Sequence, residues 1–356
     1  MSLDEERKRI DEIDEKILDL LNKRAKVAIE IGKIKKSTNS VYYVPEREKA
    51  VFDRLEEQNA GPMPGAAVKA IFREIISSIR ALEKPTTVAF LGPLHTFSQL
   101  AVQRIFGATA ELHPTSTLND IFTEVERGRV DYGVVPVESS IGGSVSDTLD
   151  RFLTSDLKII NEMLLHVSQN LLSKSPLDKI AKVYSKDQSF SQCRDWLQAN
   201  LPHAELINVS STAEAARIAA DEEGAAAIGS VLAAEPYMLD IVEGRIEDSP
   251  HNYTRFFAIG RQLVKPTGSD KTSLLISIRN TPGALHDLLM PLAEEGVDLT
   301  KIESRPSRKK AWDYVFFIDL VGHVEDRKIE KALEKIADHC TELKILGSYP
   351  QGDVES

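Results

Sequence analysis

The sequence predicts a multidomain chain, all-helical at its N-terminus and α/β over the remainder. Three observations carry that prediction. Apolar residues recur every three or four positions between 10 and 34, strand and helix patterns alternate over 86–262, and segment 271–349 reads strand, helix, strand, strand, helix, strand. Proline and glycine mark the joints, at Pro85 and across Pro266-Thr267-Gly268. The expected limits are 1–85 for the helical domain, 86–264 for the central domain and 271–350 for the last.

The first helix opens on Ser2-Leu3-Asp4-Glu5, which has the form of a capping box. Ile10, Ile13, Ile17, Leu20, Arg24, Val27, Ile31 and Ile34 then follow without a break, giving a helix of about 30 residues and ~45 Å. Such length without a supporting domain asks for a coiled-coil-like partner. Pro45 suits the first position of a second helix, to about Gln58. A third runs from about Ala66 to Glu83, with Val68, Phe72, Ile75, Ile79 and Leu82 as its buried stripe.

The central region starts with a strand at 88–92 and a loop into a helix containing Phe97, Leu100, Ala101 and Ile105. Further buried strands are expected at 132–137, 180–184, 206–209 and 225–228, with helices at 191–200 and 212–222, which reads as a parallel α/β arrangement. The span is long enough for two lobes with a ligand cleft between them. The last region places strands at 272–279, 297–304, 312–321 and 343–348 and helices at 283–296 and 326–339, a ferredoxin-like βαββαβ order.

Composition narrows the function. The chain has 356 residues, 42% hydrophobic and 28% charged, the mix of a soluble globular protein. No run approaches the ~20 apolar residues of a membrane helix, and the charged N-terminus lacks a signal-peptide core. Cys193 and Cys340 are isolated in sequence, without metal-ligand spacing, and read as free thiols of a cytoplasmic protein. A net charge of −11 argues against a nucleic-acid surface. It also means that a small dianionic substrate must be drawn in by local arginines and lysines.

Arg24 is the informative residue of the first helix, because it occupies a stripe position otherwise held by Ile, Leu and Val. A buried guanidinium needs a partner, so Arg24 forms either an internal salt bridge or an anion site inside a helical bundle. Lys35 lies eleven residues on, close to three turns, and shares its face. Arg47 and Glu48 fall in the first turn of the second helix, and Glu83 at the inner edge of the third.

Arg7, Asp14 and Arg24, with Gly32-Lys33-x-Lys35 and Pro45-Glu46-Arg47-Glu48, resemble the motif set of the all-helical chorismate mutases. The resemblance implies an active site of Arg7, Arg24, Lys35, Arg47, Glu48 and Glu83. In it, arginines clamp the two carboxylates of chorismate, and Lys35 and Glu83 contact its ether oxygen. Bidentate pairing suits arginine to the clamp. The rearrangement to prephenate is pericyclic and needs no nucleophile, only a held conformer and stabilised charge. Glu83 donates a hydrogen bond only when protonated, so this activity is expected to fall as pH rises through its ionisation. Val44 and Ile79 stand where some relatives carry an acid and a serine. Arg7 and Arg24 are 17 residues apart, about 26 Å along one helix, so one small substrate meets both only if Arg7 comes from a second chain. The expected assembly is an intertwined homodimer or a higher homo-oligomer.

Four further motifs resemble prephenate dehydratase: Gly92-Pro93-Leu94-His95-Thr96-Phe97-Ser98; Asp131 to Ser140 with Gly142 and Val145; Gln188 with Gln192-Cys193; and Asn252-Tyr253-Thr254-Arg255-Phe256. Each alone is weak, but their order and spacing are not. The resemblance implies a two-lobed, periplasmic-binding-protein-like α/β domain that converts prephenate to phenylpyruvate, with Thr254 as the leading catalytic residue. Arg255 is expected to bind a carboxylate or orient Thr254, and Thr96, Ser98, Glu138, Ser139, Asn252 and Phe256 to complete the substrate site. Ser98 serves equally well as a simple helix cap. His95 stands where glycine is common, Ser139 where asparagine is common, and Ser185-Lys186-Asp187-Gln188 where Ser-His-Pro-Gln is common.

Residues 271–349 resemble an ACT domain. Gly283-Ala284-Leu285-His286 and Glu303-Ser304-Arg305-Pro306 match the two motifs that form the phenylalanine site of such dehydratases. The implied effector set is Asn280, Gly283, Ala284, Leu285, Glu303, Ser304, Arg305 and Pro306, lying between paired domains, with phenylalanine as a feedback inhibitor. Neither a cofactor nor a metal is expected. Two rival readings are a sensor that binds an aromatic or amino acid without turnover, and a dehydratase whose helical domain only dimerises.

Overall fold

A computed structural model describes residues 2–38, 40–279, 281–306, 314–352 and 354–355. It divides into two compact units, residues 1–87 with 106–111, and residues 88–105 with 112–356.

The first unit holds α1 (Leu3–Thr38), α2 (Pro45–Gln58) and α3 (Gly65–Glu83). The capping box is formed: Ser2 N–H donates to Glu5 Oε2 at 2.6 Å and Glu5 N–H to Ser2 Oγ at 3.3 Å. At 36 residues α1 is longer than its apolar pattern predicts, because polar turns extend it at both ends. Only its C-terminal part is closely packed. Gly32 is its buried residue, and a Cβ there would stand 3.0 Å from Glu83 Cβ, so glycine sets the approach of α1 to α3. Further toward the N-terminus, Ile10, Ile13, Ile17, Leu20 and Val27 are all exposed.

The second unit is built on three sheets. The first lobe combines β1 (Thr87–Leu91), α4 (Phe97–Phe106), β2 (Glu111–Thr115), α5 (Leu118–Glu126), β3 (Tyr132–Ser139), β4 (Gly143–Ser144), α6 (Ser146–Phe152) and β5 (Lys158–His166). The chain then crosses to a second lobe of β6 (Asn170–Ser173), β7 (Lys182–Ser185), α7 (Asp187–Gln192), α8 (Arg194–Asn200), β8 (Glu205–Asn208), α9 (Thr212–Asp221), β9 (Ala225–Gly229) and β10 (Asp240–Glu243). It returns through β11 (Tyr253–Gly260), which lies between β5 and β3. Two lobes joined by two crossings leave a cleft between them, as the sequence predicts.

The sheets are mixed, where the sequence reads as a parallel α/β arrangement. β1 and β3 are parallel, but β11 runs antiparallel to both β3 and β5, and β6 antiparallel to β9. The sequence reading omitted β2, β4, β5, β6, β10 and β11. Long buried strands such as β5, Lys-Ile-Ile-Asn-Glu-Met-Leu-Leu-His, lack the clean alternation of a half-exposed strand. The helix expected at 191–200 is two short helices that change direction at Cys193, whose φ of −121° leaves the helical region.

The C-terminal module follows the expected order: β12 (Asp270–Ser277), α10 (Ala284–Glu294), β13 (Leu299–Pro306), β14 (Tyr314–Val321), α11 (Arg327–Ala337) and β15 (Glu342–Pro350), before the short β16 (Val354–Glu355). The sheet order is β13-β14-β12-β15. β13 starts two residues later than expected, after the turn at Gly296, and the expected strand start at Trp312 lies outside the described residues. One sheet face packs on α10 and α11 through Leu274, Ile276, Leu288, Ile318, Ile329 and Ile336. The other carries Leu275, Val315, Phe317, Leu346 and Tyr349 into the core of the first lobe, against Phe152, Phe257 and Ile259. Dehydratase-like lobe and regulator-like module therefore share one hydrophobic core.

Candidate active site

In the helical unit, Lys35 and Glu83 are brought together. Lys35 Nζ lies 3.2 Å from Glu83 Oε2 and also donates to the Tyr42 carbonyl at 3.2 Å. Glu48, on α2, pairs with Arg80 of α3, whose guanidinium also stacks 5.0 Å above the Tyr43 ring. Burial pushes the Glu48 carboxyl up, against the opposing pull of Arg80 and Arg73. Partial burial lowers the Arg24 guanidinium, which Glu83 and Glu48 counteract. Arg24, Lys35, Glu48 and Glu83 thus form one electrostatic group. Arg47 is exposed at the start of α2, and Arg7, 3.6 Å from Asp4, lies in the first turns of α1. Sequence reading missed Arg80. Its signal was a heptad spacing from Arg73 on a helix that is otherwise apolar on its inner side.

The second candidate site is the cleft between the two lobes, a cavity of about 400 Å³. Thr254 on β11 lines it, together with Thr96, Phe97 and Ser98 at the start of α4 and Ser210, Ser211 and Thr212 at the start of α9. Two ten-residue helices from opposite lobes therefore begin at one space, α9 with Ser211 Oγ accepting from Glu214 N–H at 3.0 Å as its own cap. Among the described residues lining it, Lys186 is the one cation. His95 adopts φ 69°, the left-handed region, and its N–H donates to Gln99 Oε1 at 2.6 Å; the glycine common at this position would hold that conformation without strain.

Several expected ligands do not line this cleft. Arg255 is turned to the opposite face of β11 and is 7% exposed. Its guanidinium meets Glu162 at 2.6 Å, Asp319 of β14 at 2.5 Å and the Tyr349 hydroxyl at 3.2 Å. Lys271 joins the same Glu162 at 2.8 Å, and Ser273 bonds both Asp319 and Tyr349. Burial alone would lower the arginine, but Tyr349, Asp319 and Glu162 outweigh it and hold Arg255 charged. The expectation that Arg255 binds a substrate carboxylate therefore meets a guanidinium already bound on the far side of the sheet. Alternation explains the difference: adjacent strand residues face opposite ways.

Phe256 is buried in the core. Asn252 is fully buried, donating to the Val167 carbonyl and to Gln192 Oε1, each at 3.1 Å. Ser139 accepts from Gly142 N–H at 3.2 Å and borders a neighbouring, wider opening with Lys186 and Gln188. Glu138 pairs with Lys301 of β13 at 2.8 Å.

In the C-terminal module, Gly283 sits at φ 87° and caps α10, with Ala284 and Leu285 following. Asn280 lies outside the described residues. Along β13, Lys301, Glu303 and Arg305 alternate with the exposed Ile302, Ser304 and Pro306. The inward side chains grip the first lobe: Glu303 accepts from Ser144, and Arg305 bonds Ser146 at 2.9 Å and Asp150 at 3.0 Å. The sequence reading did not foresee that the supposed effector motif touches the neighbouring lobe.

Among the described residues no group of His, Cys, Asp and Glu could hold a metal ion, and no helix is long and apolar enough to cross a membrane.

Comparisons with known proteins agree with this arrangement. Family models for chorismate mutase type II, prephenate dehydratase and the ACT domain match residues 6–84, 88–263 and 272–338. The bifunctional chorismate mutase/prephenate dehydratase of Aquifex aeolicus is 49% identical over 354 residues, covering 98% of each chain. That of Stutzerimonas stutzeri is 47% identical over 352 residues, 97% of this chain and 96% of its own. A crystal structure of prephenate dehydratase from Arthrobacter aurescens in complex with L-Phe aligns with a TM-score of 0.70 at 33% identity, over 75% of this chain and 90% of that one. With three matched modules in this order and nearly full-length relatives, the chain belongs to the bifunctional chorismate mutase/prephenate dehydratase family.

Proposed function

We infer that the two reactions of the family run at two separate places in this chain, chorismate to prephenate in the helical domain (1–85) and prephenate to phenylpyruvate in the interlobe cleft (86–264). Phenylalanine acts as feedback inhibitor through the ACT domain (271–350). The observation that carries this reading is the presence in one chain of a charged cluster within an apolar helical unit and of Thr254 in a two-lobed cleft.

For the mutase, Arg24 and Arg47 hold the chorismate carboxylates together with Arg7 of the partner subunit. Lys35 and Glu83 meet the ether oxygen, and Glu48, fixed by Arg80, shapes the wall. The exposed stripe of α1 supports the second copy. Ile10, Ile13, Ile17, Leu20 and Val27 keep about half or more of their surface in water, a cost that a paired α1 removes. A homodimer with shared sites follows from that stripe and from the 17-residue separation of the two arginines.

For the dehydratase, Lys186 takes one carboxylate of prephenate, and the N–H ends of α4 and α9 with Thr96 and Ser98 take the other. The ring carboxylate leaves as carbon dioxide, its bonding pair entering the ring. The ring C–O bond breaks with its pair on oxygen, and that oxygen gains one proton to leave as water. Thr254 donates its hydroxyl hydrogen bond to the departing oxygen. Asn252, Ser139 and Phe256 support the floor and wall of this site, and Glu138 ties it to the ACT domain.

The free Cys193 and Cys340 fit a protein of the reducing cytoplasm. Incubating the purified protein with chorismate and following prephenate and phenylpyruvate separately tests the whole reading. Prephenate that accumulates without phenylpyruvate would remove the second activity. Turnover of added prephenate but not chorismate would leave the helical domain as a dimerisation element, and turnover of neither would leave a sensor.

A further inference from the structure

Gln169 sits at the first crossing between the lobes, one residue before β6, and is 2% exposed. It lines the same cleft as Thr254. Its Nε2 donates to Gln192 Oε1 at 2.8 Å, while its Oε1 is buried with no hydrogen-bond partner among the described residues.

The surrounding bonds fix which end of this amide is left over. Asn252 Nδ2 donates to the Val167 carbonyl, an acceptor only, at 3.1 Å, so Asn252 cannot be turned over. The same nitrogen donates to Gln192 Oε1 at 3.1 Å, which fixes Gln192. Gln169 must then present its NH₂ to that oxygen, and its own carbonyl is left without a donor, buried just behind the wall that Gln169 lends to the cleft. A buried acceptor without a donor is destabilising, and such groups mark places where a ligand completes the bonding.

The chemistry of the ligand follows from the sign of the group. Among the other polar liners, Lys186 and the starts of two helices suit anionic oxygen. A bare carbonyl repels a carboxylate and takes a donor. Prephenate carries two carboxylates, a ketone and one hydroxyl, and the ring hydroxyl is its only hydrogen-bond donor.

We propose that Gln169 Oε1 accepts a hydrogen bond from the ring hydroxyl of the bound substrate, and that the Asn252–Gln192–Gln169 amide chain holds it for that contact. This rests on the dehydratase reading and adds a residue to it. The hydroxyl hydrogen stays on the departing oxygen throughout, while the second proton arrives from the Thr254 side. As that oxygen gains its proton, its original O–H becomes a stronger donor, so the contact to Gln169 tightens in the transition state. Gln169 thereby turns the hydroxyl lone pairs toward Thr254.

The test uses two unreactive ring-saturated analogues of prephenate, one with the ring hydroxyl and one without, titrated calorimetrically into the full-length protein. The wild type is expected to prefer the hydroxylated analogue by about tenfold. Gln169→Leu should bind both alike and lose at least tenfold in dehydratase kcat, with its chorismate mutase rate unchanged. Gln169→Glu keeps an oxygen acceptor but loses the N–H that donates to Gln192 Oε1, so its preference should weaken as well. Equal affinities in the wild type, or an undiminished preference in Gln169→Leu, overturn the assignment. Should Gln169→Leu fail to fold, the wild type and Gln169→Glu decide, because equal affinities in the wild type, or an undiminished preference in Gln169→Glu, are fatal to it. A wild type that makes no phenylpyruvate from prephenate instead removes the dehydratase reading on which the proposal stands.

Discussion

Thr254 and Arg255 are adjacent on β11 yet serve opposite faces of its sheet: Thr254 lines the interlobe cleft, and Arg255 is ion-paired to Asp319 of the ACT domain and to Glu162. One strand thus carries a catalytic candidate on one side and the anchor of the regulatory domain on the other. Any shift of the ACT sheet that moves Asp319 is felt one residue from Thr254, which gives an effector bound to that domain a short route to the cleft.

Thr254→Val keeps shape and removes the hydroxyl. Dehydratase kcat is expected to fall about 10²-fold or more, with mutase activity retained. Coupled assays from chorismate, separating prephenate from phenylpyruvate, check this; an active Thr254→Val variant would displace Thr254 as the donor.

Arg255→Met leaves Glu162 and Asp319 buried, Glu162 still paired with Lys271. Loss of one partner of a buried pair predicts a destabilisation of about 3–5 kcal/mol. Arg255→Lys keeps the charge but not the fork, and should cost less than Arg255→Met. Urea unfolding of the two variants, followed by fluorescence, ranks them.

Gly32→Ala places a methyl group 3.0 Å from Glu83 Cβ. The Lys35–Glu83 pair must move, so mutase kcat is expected to drop about tenfold while dehydratase activity holds. An unchanged mutase rate would mean that the spacing of α1 and α3 is not critical.

Glu48 gives a pH signature. Its carboxyl is raised by burial in the folded state, so between the unfolded and folded values the native protein binds the extra proton. Stability of the helical unit should therefore fall as pH rises through that window, beginning in the ordinary carboxylate range, and Glu48→Gln should flatten the slope. Denaturant midpoints measured at half-unit pH steps decide this.

Glu303→Ala with Arg305→Ala is expected to abolish inhibition of the dehydratase by phenylalanine. Because both side chains also grip the first lobe, a companion variant is needed. A variant with Ser144→Ala, Ser146→Ala and Asp150→Asn cuts the contacts of Glu303 and Arg305 and spares the effector motif. If it retains phenylalanine binding but loses inhibition, the grip transmits the signal; if inhibition persists, the motif acts by binding alone.

The helical domain was the most legible part, because one apolar stripe with a charge at Arg24 fixes both a helix and the face on which a cation sits. The βαββαβ order was legible for the same reason of period. The lobes were less so: β5 and β11 are buried on both faces, where alternation disappears and period no longer separates strand from helix. In the cleft, Thr96, Ser98 and Thr254 were legible through their motifs, whereas Lys186 stood out only as a departure from the usual pattern.

The sequence by itself determined the order of modules, the helices and the residue types able to hold a dicarboxylate, since these depend on local period and side-chain chemistry. Only the tertiary structure decided which way each side chain of β11 and β13 faces. A strand presents neighbours to opposite sides, and what lies on each side is set by chain segments far away in sequence. Arg255 met Asp319 from 64 residues on, and Gln169 met Gln192 across the cleft floor, through packing that no local pattern encodes.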